Sequence, residues 1–166
     1  IADAESGKLL WSQRPEERLP VASTTKIMTA YLILKSAQQD AHLLDEELLV
    51  SDLADLTTGT TADLRAGEKV KLREALYGLL LPSGNDAAIA LAEHCGARFA
   101  PAAQSPKEQS PKDTQSPKEQ SPEESQPVAR FVAEMNREAG RLGLKDTQFC
   151  NPHGLPAEGH YSSAAD

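Results

Sequence analysis

Pro20-Val-Ala-Ser-Thr-Thr-Lys-Ile-Met-Thr-Ala30 is the stretch on which the fold turns. From Ser23 to about Gln39 the sequence reads as a helix. Ile27, Met28, Ala30, Tyr31, Leu32, Ile33 and Leu34 are apolar nearly all round, and a helix without a polar face is a buried one. The pattern therefore predicts a central helix. At its start Ser23 and Lys26 stand one turn apart on one face. A serine hydroxyl is a poor nucleophile until a neighbouring base takes its proton. A lysine can be that base only when its pKa is lowered, and burial beside the positive end of a helix lowers it. The bland alternative is an N-cap serine followed by an ordinary lysine. With 13 Ser and 9 Lys in the chain, chance supplies roughly 0.7 such pairs, so the spacing alone is weak.

Working outward, Ser83-Gly84-Asn85 is the second candidate. A helix is expected from Arg73 to Leu81, stopped by Pro82, and another from about Asp86 to Cys95 with Gly96 as its C-terminal cap. The triplet would then sit in a tight joint between two helices. It offers a hydroxyl to relay a proton and an amide to hold a substrate amide. Read alone, it is more readily a helix cap with Gly in a turn. Chance supplies roughly 0.2 Ser-x-Asn triplets here. Elsewhere, residues 1 to 13 read as a β-hairpin turning at Ala4-Glu5-Ser6-Gly7. A short strand pair is expected around Leu64 to Leu72, turning at Ala66-Gly67-Glu68, and residues 40 to 60 stay unassigned. Val128, Phe131, Val132, Met135, Ala139 and Leu142 predict an amphipathic helix ending near Gly143. Gln148-Phe149-Cys150 is a candidate strand and Asn151-Pro152-His153-Gly154 a turn.

Charge and composition narrow the function. The 166 residues carry 17 basic and 25 acidic side chains, a formal net charge of −8. That argues against a nucleic-acid binder, which needs a basic face for the phosphates, and equally against a polybasic membrane-surface protein. The longest apolar runs, Ala30 to Leu34 and Ala87 to Ala92, fall far short of the roughly 20 residues a spanning helix needs. Six of the 11 prolines lie between 101 and 127, where Ser105-Pro-Lys-Glu-Gln109 recurs as Ser116-Pro-Lys-Glu-Gln120. That segment holds no Val, Leu, Ile, Met or aromatic residue, so residues 101–127 are expected to be a disordered surface insertion. The chain opens at Ile1 and closes on Ser163-Ala-Ala-Asp166, which resembles a helix start. These ends predict a fragment of a longer chain.

Ser-x-x-Lys followed by Ser-x-Asn is the order used by serine penicillin-binding proteins and class A β-lactamases. The surroundings are more specific. Pro20 to Ala30, Leu80-Leu-Pro-Ser-Gly-Asn-Asp-Ala-Ala88, Asn151-Pro-His-Gly-Leu155, Glu158-Gly-His-Tyr-Ser162 and the opening Asp3-Ala-Glu-Ser-Gly-Lys-Leu-Leu-Trp11 together resemble the D-alanyl-D-alanine carboxypeptidases, the low-molecular-mass penicillin-binding proteins. The resemblance covers about residues 1 to 98 and 128 to 166, and implies that residues 1–166 are the N-terminal part of a transpeptidase-like catalytic domain, interrupted by the insertion 101–127. It implies an α+β fold, the β-lactamase/transpeptidase-like antiparallel sheet flanked by helices, here truncated and mostly helical. It implies Ser23 as the acylated nucleophile and Lys26 as its base. Ser83 would pass the proton to the leaving amine, and Asn85 would bind the substrate amide and steady Lys26. The backbone N–H of Ser23 would be one oxyanion donor.

The substrates implied are peptidoglycan stem peptides ending in D-Ala-D-Ala, with β-lactams as covalent inhibitors. The implied location is outside the cytoplasmic membrane, and no metal or organic cofactor is implied. The family's third motif, Lys-Thr-Gly on a core strand, does not occur in residues 1 to 166, so the fragment by itself is expected to be inactive. The rival readings are a β-lactamase-like hydrolase and a catalytically dead peptidoglycan- or partner-binding protein. Cys95 and Cys150 could pair as a disulfide, although the sequence does not bring them together. Cys150, His153 and His160 lack repeated finger-like spacing and argue poorly for zinc. His153 reads as a turn residue rather than a general base.

Overall fold

The computed structural model describes residues 1–99 and 126–166. A single 3-10 turn, Ala22–Thr24, leads into α1, Thr25–Gln39. A second 3-10 turn, Leu43–Asp45, precedes β1, Glu47–Leu49, and the short helix α2, Asp52–Asp55, capped by the Ser51 hydroxyl. Then come β2, Lys69–Lys71, α3, Leu72–Leu80, α4, Asn85–Gly96, and α5, Gln126–Leu142. The fold is a mostly helical packing with a small antiparallel sheet.

The central helix is α4, not α1. Ala87, Ala88, Ile89, Ala90, Leu91, Ala92 and Cys95 are all buried. Its run of alanines lets α2, α3 and α5 approach closely, and small side chains decide which helix can sit in the middle. On α1, by contrast, Ile27, Tyr31 and Leu34 form an exposed apolar stripe, with Ile27 at 67% exposure. The other face of α1 (Met28, Ala30, Leu32 and Ile33) enters the core. A concavity of about 640 Å³ runs beside the stripe, between Ile27, Tyr31, Leu142 and Phe149.

The sheet also differs from expectation. Gly67 does turn the chain at φ +86°, but β2 does not pair within residues 64–72. It pairs with β1 in the register Leu48↔Val70, with Leu48 buried and its neighbours exposed. That alternation faces one side of the pair to α4, and a partner 22 residues away leaves no local signal. The expected hairpin at residues 1–13 is reduced to the bridge Ala2↔Leu9, and the expected strand at 148–150 to the bridge Gln148↔Tyr161.

Gly96 is not a left-handed cap. It lies in the last turn of α4, where a Cβ would stand 2.0 Å from the Pro127 carbonyl oxygen, so it is needed for close approach of α5. The left-handed cap is Gly143, φ +79°, after α5, with the Leu144 N–H donating to the Ala139 carbonyl at 3.0 Å. The expected insertion at 101–127 lies outside the described residues except for Gln126 and Pro127, which open α5. A buried carboxylate, Glu138, ties α5 to α1 by accepting from Lys35 Nζ at 2.5 Å and Tyr31 at 3.2 Å. Both cysteines are free thiols, Cys95 buried and Cys150 exposed, so the disulfide does not form.

Candidate active site

The site forms where the start of α1 meets the start of α4. Ser23 is exposed in the 3-10 turn, and Lys26 is buried in the first turn of α1. Ala22 holds φ +46°, an uncommon conformation for a residue with a side chain. That kink presents Ser23 ahead of the helix instead of within it.

Lys26 Nζ donates three hydrogen bonds: to Ser23 Oγ at 3.1 Å, to Asn85 Oδ1 at 2.7 Å and to the His153 carbonyl at 2.8 Å. An ammonium has three donors, so all are used. Burial pushes the Lys26 pKa below the usual lysine value, and the negative charge of Asp86 opposes that shift. The result is an amine closer to neutrality, already within reach of a hydroxyl.

Asn85 is fixed on all sides. Its Nδ2 donates to the Thr58 carbonyl at 2.8 Å and its backbone N–H to the Thr60 carbonyl at 2.7 Å, leaving Oδ1 for Lys26. Gly59 is required there, because a Cβ would lie 2.6 Å from Asn85 Nδ2 and the backbone is at φ +101°. Next in the chain, the buried Asp86 carboxylate fastens loop 61–64 to α4 by accepting from the Thr61 hydroxyl and the Ala62 and Leu64 N–H groups. Ser83 sits half-buried at φ +63° in the joint between α3 and α4, with its carbonyl held by the Thr60 hydroxyl at 2.5 Å. A non-glycine residue in this region costs about 1 kcal/mol or more, and the surrounding bonds hold it there.

Thus Ser23, Lys26 and Asn85 are joined directly, and Ser83 stands two residues from Asn85. What the sequence reading missed is the contribution of turn 151–154. The His153 carbonyl is the third acceptor for Lys26, and the Pro152 carbonyl accepts from Thr29 Oγ1 at 2.7 Å. The His153 ring is buried, and its Nδ1 accepts from the Leu155 N–H at 3.1 Å. Burial, with the nearby Lys26 charge, pushes its pKa down to about 4, so the ring is neutral at ordinary pH. Gly154 makes the approach possible: its φ is +93° and a Cβ would stand 1.9 Å from the Ala22 carbonyl oxygen.

The profile of the D-alanyl-D-alanine carboxypeptidase family matches residues 1–98 and 125–166. The chain belongs to that family. This carboxypeptidase-family chain is 35% identical over 166 residues to the D-alanyl-D-alanine carboxypeptidase DacF of Bacillus subtilis, covering 100% of itself and 35% of that relative. It is 33% identical over 162 residues to a D-alanyl-D-alanine carboxypeptidase of Streptomyces sp. K15, covering 95% of itself and 47% of the relative. Among solved structures it superposes on the D-alanyl-D-alanine carboxypeptidase DacD of Francisella tularensis with a TM-score of 0.76 and 30% identity, over 99% of itself and 33% of that chain. The Streptomyces K15 DD-transpeptidase gives 0.71 at 30% identity, over 95% of this chain and 52% of that one. The chain therefore spans between about a third and a half of the length of these relatives.

Proposed function

We propose that the protein is a serine-type D-Ala-D-Ala carboxypeptidase in which Ser23 is the nucleophile, Lys26 its general base, Ser83 a proton relay and Asn85 the ligand of the substrate amide. One observation carries the reading. Among the described residues no carboxylate touches the buried amine of Lys26, and its hydrogen bonds end on Ser23 Oγ, Asn85 Oδ1 and a backbone carbonyl. A buried lysine that stays charged is ordinarily paired with a carboxylate. Here burial lowers the Lys26 pKa, which favours the neutral amine that a general base must be.

In the forward step, neutral Lys26 takes the proton of Ser23 as Oγ bonds to the carbonyl carbon of the penultimate D-Ala. The peptide C–N bond then breaks. The leaving amine takes its proton from Lys26 by way of Ser83, and D-Ala departs. Water, activated by the same base, cleaves the ester and restores Ser23. Asn85 holds the substrate amide and keeps the Lys26 amine aimed at Oγ. β-Lactams would acylate Ser23 by the same first step. Peptidoglycan stem peptides ending in D-Ala-D-Ala are the substrate class, the setting is the cell wall outside the cytoplasmic membrane, and control of cell shape is the expected consequence. The family match favours this reading over a β-lactamase-like hydrolase.

The test is D-Ala release from a peptide ending in D-Ala-D-Ala by the full-length protein. Release is expected from the parent and lost in Ser23→Ala. Release that persists in Ser23→Ala would overturn the assignment.

A further inference from the structure

His160 takes no part in the steps above, yet its ring joins the two segments that enclose Lys26. The ring is buried, with Nδ1 accepting the Cys150 N–H at 3.0 Å and Nε2 standing 2.8 Å from Thr25 Oγ1. Accepting at Nδ1 fixes the neutral tautomer with hydrogen on Nε2, so Nε2–H donates to the Thr25 hydroxyl. Phe149 meets the ring edge-on, 5.9 Å between centroids.

These contacts sit at the two ends of the Lys26 environment. Thr25 is the first residue of α1 and the immediate neighbour of Lys26. Cys150 leads directly into the turn whose His153 carbonyl receives Lys26 Nζ. One turn further along α1, Thr29 is bonded to Pro152 in the same turn. The 151–154 turn is thus fastened to α1 on both sides of Lys26, by His160 through Thr25 and by Thr29 directly. Without the imidazole, the Cys150 N–H and the Thr25 hydroxyl lose their partners and one fastening is gone.

We propose that His160 is a positioning residue for Lys26, holding the Cys150–Gly154 turn against the first turn of α1 so that the His153 carbonyl keeps the amine on Ser23. The proposal rests on the assignment of Ser23 and Lys26 given above. A shift of the amine by about 1 Å is enough to cost on the order of a hundredfold in rate.

The test uses the full-length protein and a fluorescent penicillin, resolving its reaction into a non-covalent affinity and a first-order acylation constant per folded molecule. His160→Phe keeps the ring and its contact with Phe149 while removing both nitrogens. It is expected to lower the acylation constant by about tenfold or more while affinity stays within about twofold. Thr25→Val removes the bond at Nε2 while leaving the one at Nδ1, and should also lower the acylation constant. The double variant should be no worse than His160→Phe alone, because the bond that Thr25→Val removes is already gone there. His160→Gln, which restores a donor near the Nε2 position, should recover part of the rate. An acylation constant in His160→Phe within about twofold of the parent would overturn the proposal, as would independent multiplication of the two losses or a loss confined to affinity. Should His160→Phe fail to fold, Thr25→Val and His160→Gln decide, and an unchanged acylation constant in Thr25→Val overturns it. Failure of the parent itself to be acylated at Ser23 would strike the active-site assignment instead, so the two failures are distinct.

Discussion

Replacing Asp86 by Asn tests how the site is held together. Asp86 is 1% exposed, and its carboxylate is met by neutral donors: the Thr61 hydroxyl at 2.7 Å and the N–H groups of Ala62 at 2.9 Å, Leu64 at 3.0 Å and Ala87 at 2.8 Å. An asparagine keeps one oxygen and turns an NH₂ toward the remaining donors. Oxygen in one orientation leaves the Ala87 N–H facing that NH₂, and in the other it leaves Thr61 and Leu64 facing it. At least one buried donor is then unpaired, at about 1–3 kcal/mol, and the surviving bonds lose their charge assistance, which roughly halves them. The expected loss for Asp86→Asn is about 3 kcal/mol at neutral pH. Burial pushes the Asp86 pKa up, but the four donors more than cancel it and leave the pKa below its usual 3.8. A depressed carboxylate stabilises the fold above its unfolded pKa, and the stabilisation is lost as pH falls through the folded one. Urea unfolding of the full-length parent and variant across pH should therefore show a gap that is constant at neutral pH and shrinks below about pH 3.8. A gap under about 1 kcal/mol, or one that grows with acid, would refute the reasoning. The same substitution removes the negative charge that supports protonated Lys26, so the acid limb of the acylation profile should move to lower pH.

Other outcomes follow from the same geometry. Acylation by penicillin should rise with pH through an ionisation below the ordinary lysine value of 10.5, since burial lowers the Lys26 pKa and only the neutral amine is a base. Lys26→Arg should be inactive at every pH in a stopped-flow profile, because a guanidinium stays protonated. Gly154→Ala should cost at least about 2 kcal/mol in thermal unfolding and slow acylation, because its Cβ would enter the Ala22 carbonyl and its φ is +93°. Of the two thiols, Cys150 should react with a disulfide reagent in the native protein. Cys95, whose pKa burial pushes up to about 12, should react only after unfolding.

The parts of this protein written in local sequence were legible. Ser23 and Lys26 lie one turn apart, and both belong to one short segment, so their meeting needed only the start of a helix. The contact between Lys26 and Asn85 spans 59 residues and came from the resemblance, not from the spacing. Periodicity and the stop signals at Pro82 and Gly96 placed α3, α4 and α5 to within a residue or two, α5 beginning at Gln126 instead of Val128. Apolar content predicted α1 as a central helix, whereas its Ile27, Tyr31 and Leu34 stay exposed and α4, whose alanines let neighbours come close, takes the middle. The His153 carbonyl was invisible, since a backbone acceptor carries no side-chain signature. A signal did exist in Thr25 and Thr29, two hydroxyls four residues apart on a helix otherwise rich in apolar residues. Both are buried, and both bond to the segment from Pro152 to His160. Pairing of β1 with β2 was equally hidden, because its register is set by the burial of Leu48 against α4 and not by the turn at Gly67.

The central claim is that Ser23 is the residue acylated. Peptide mapping by tandem mass spectrometry of the full-length protein after reaction with a penicillin tests it most directly. The account predicts a single acyl adduct on the peptide containing Ser23-Thr24-Thr25-Lys26, with the modified atom on Ser23, and no adduct in Lys26→Arg. An adduct on Ser83 or any other residue, or no adduct at all on the folded protein, would contradict it.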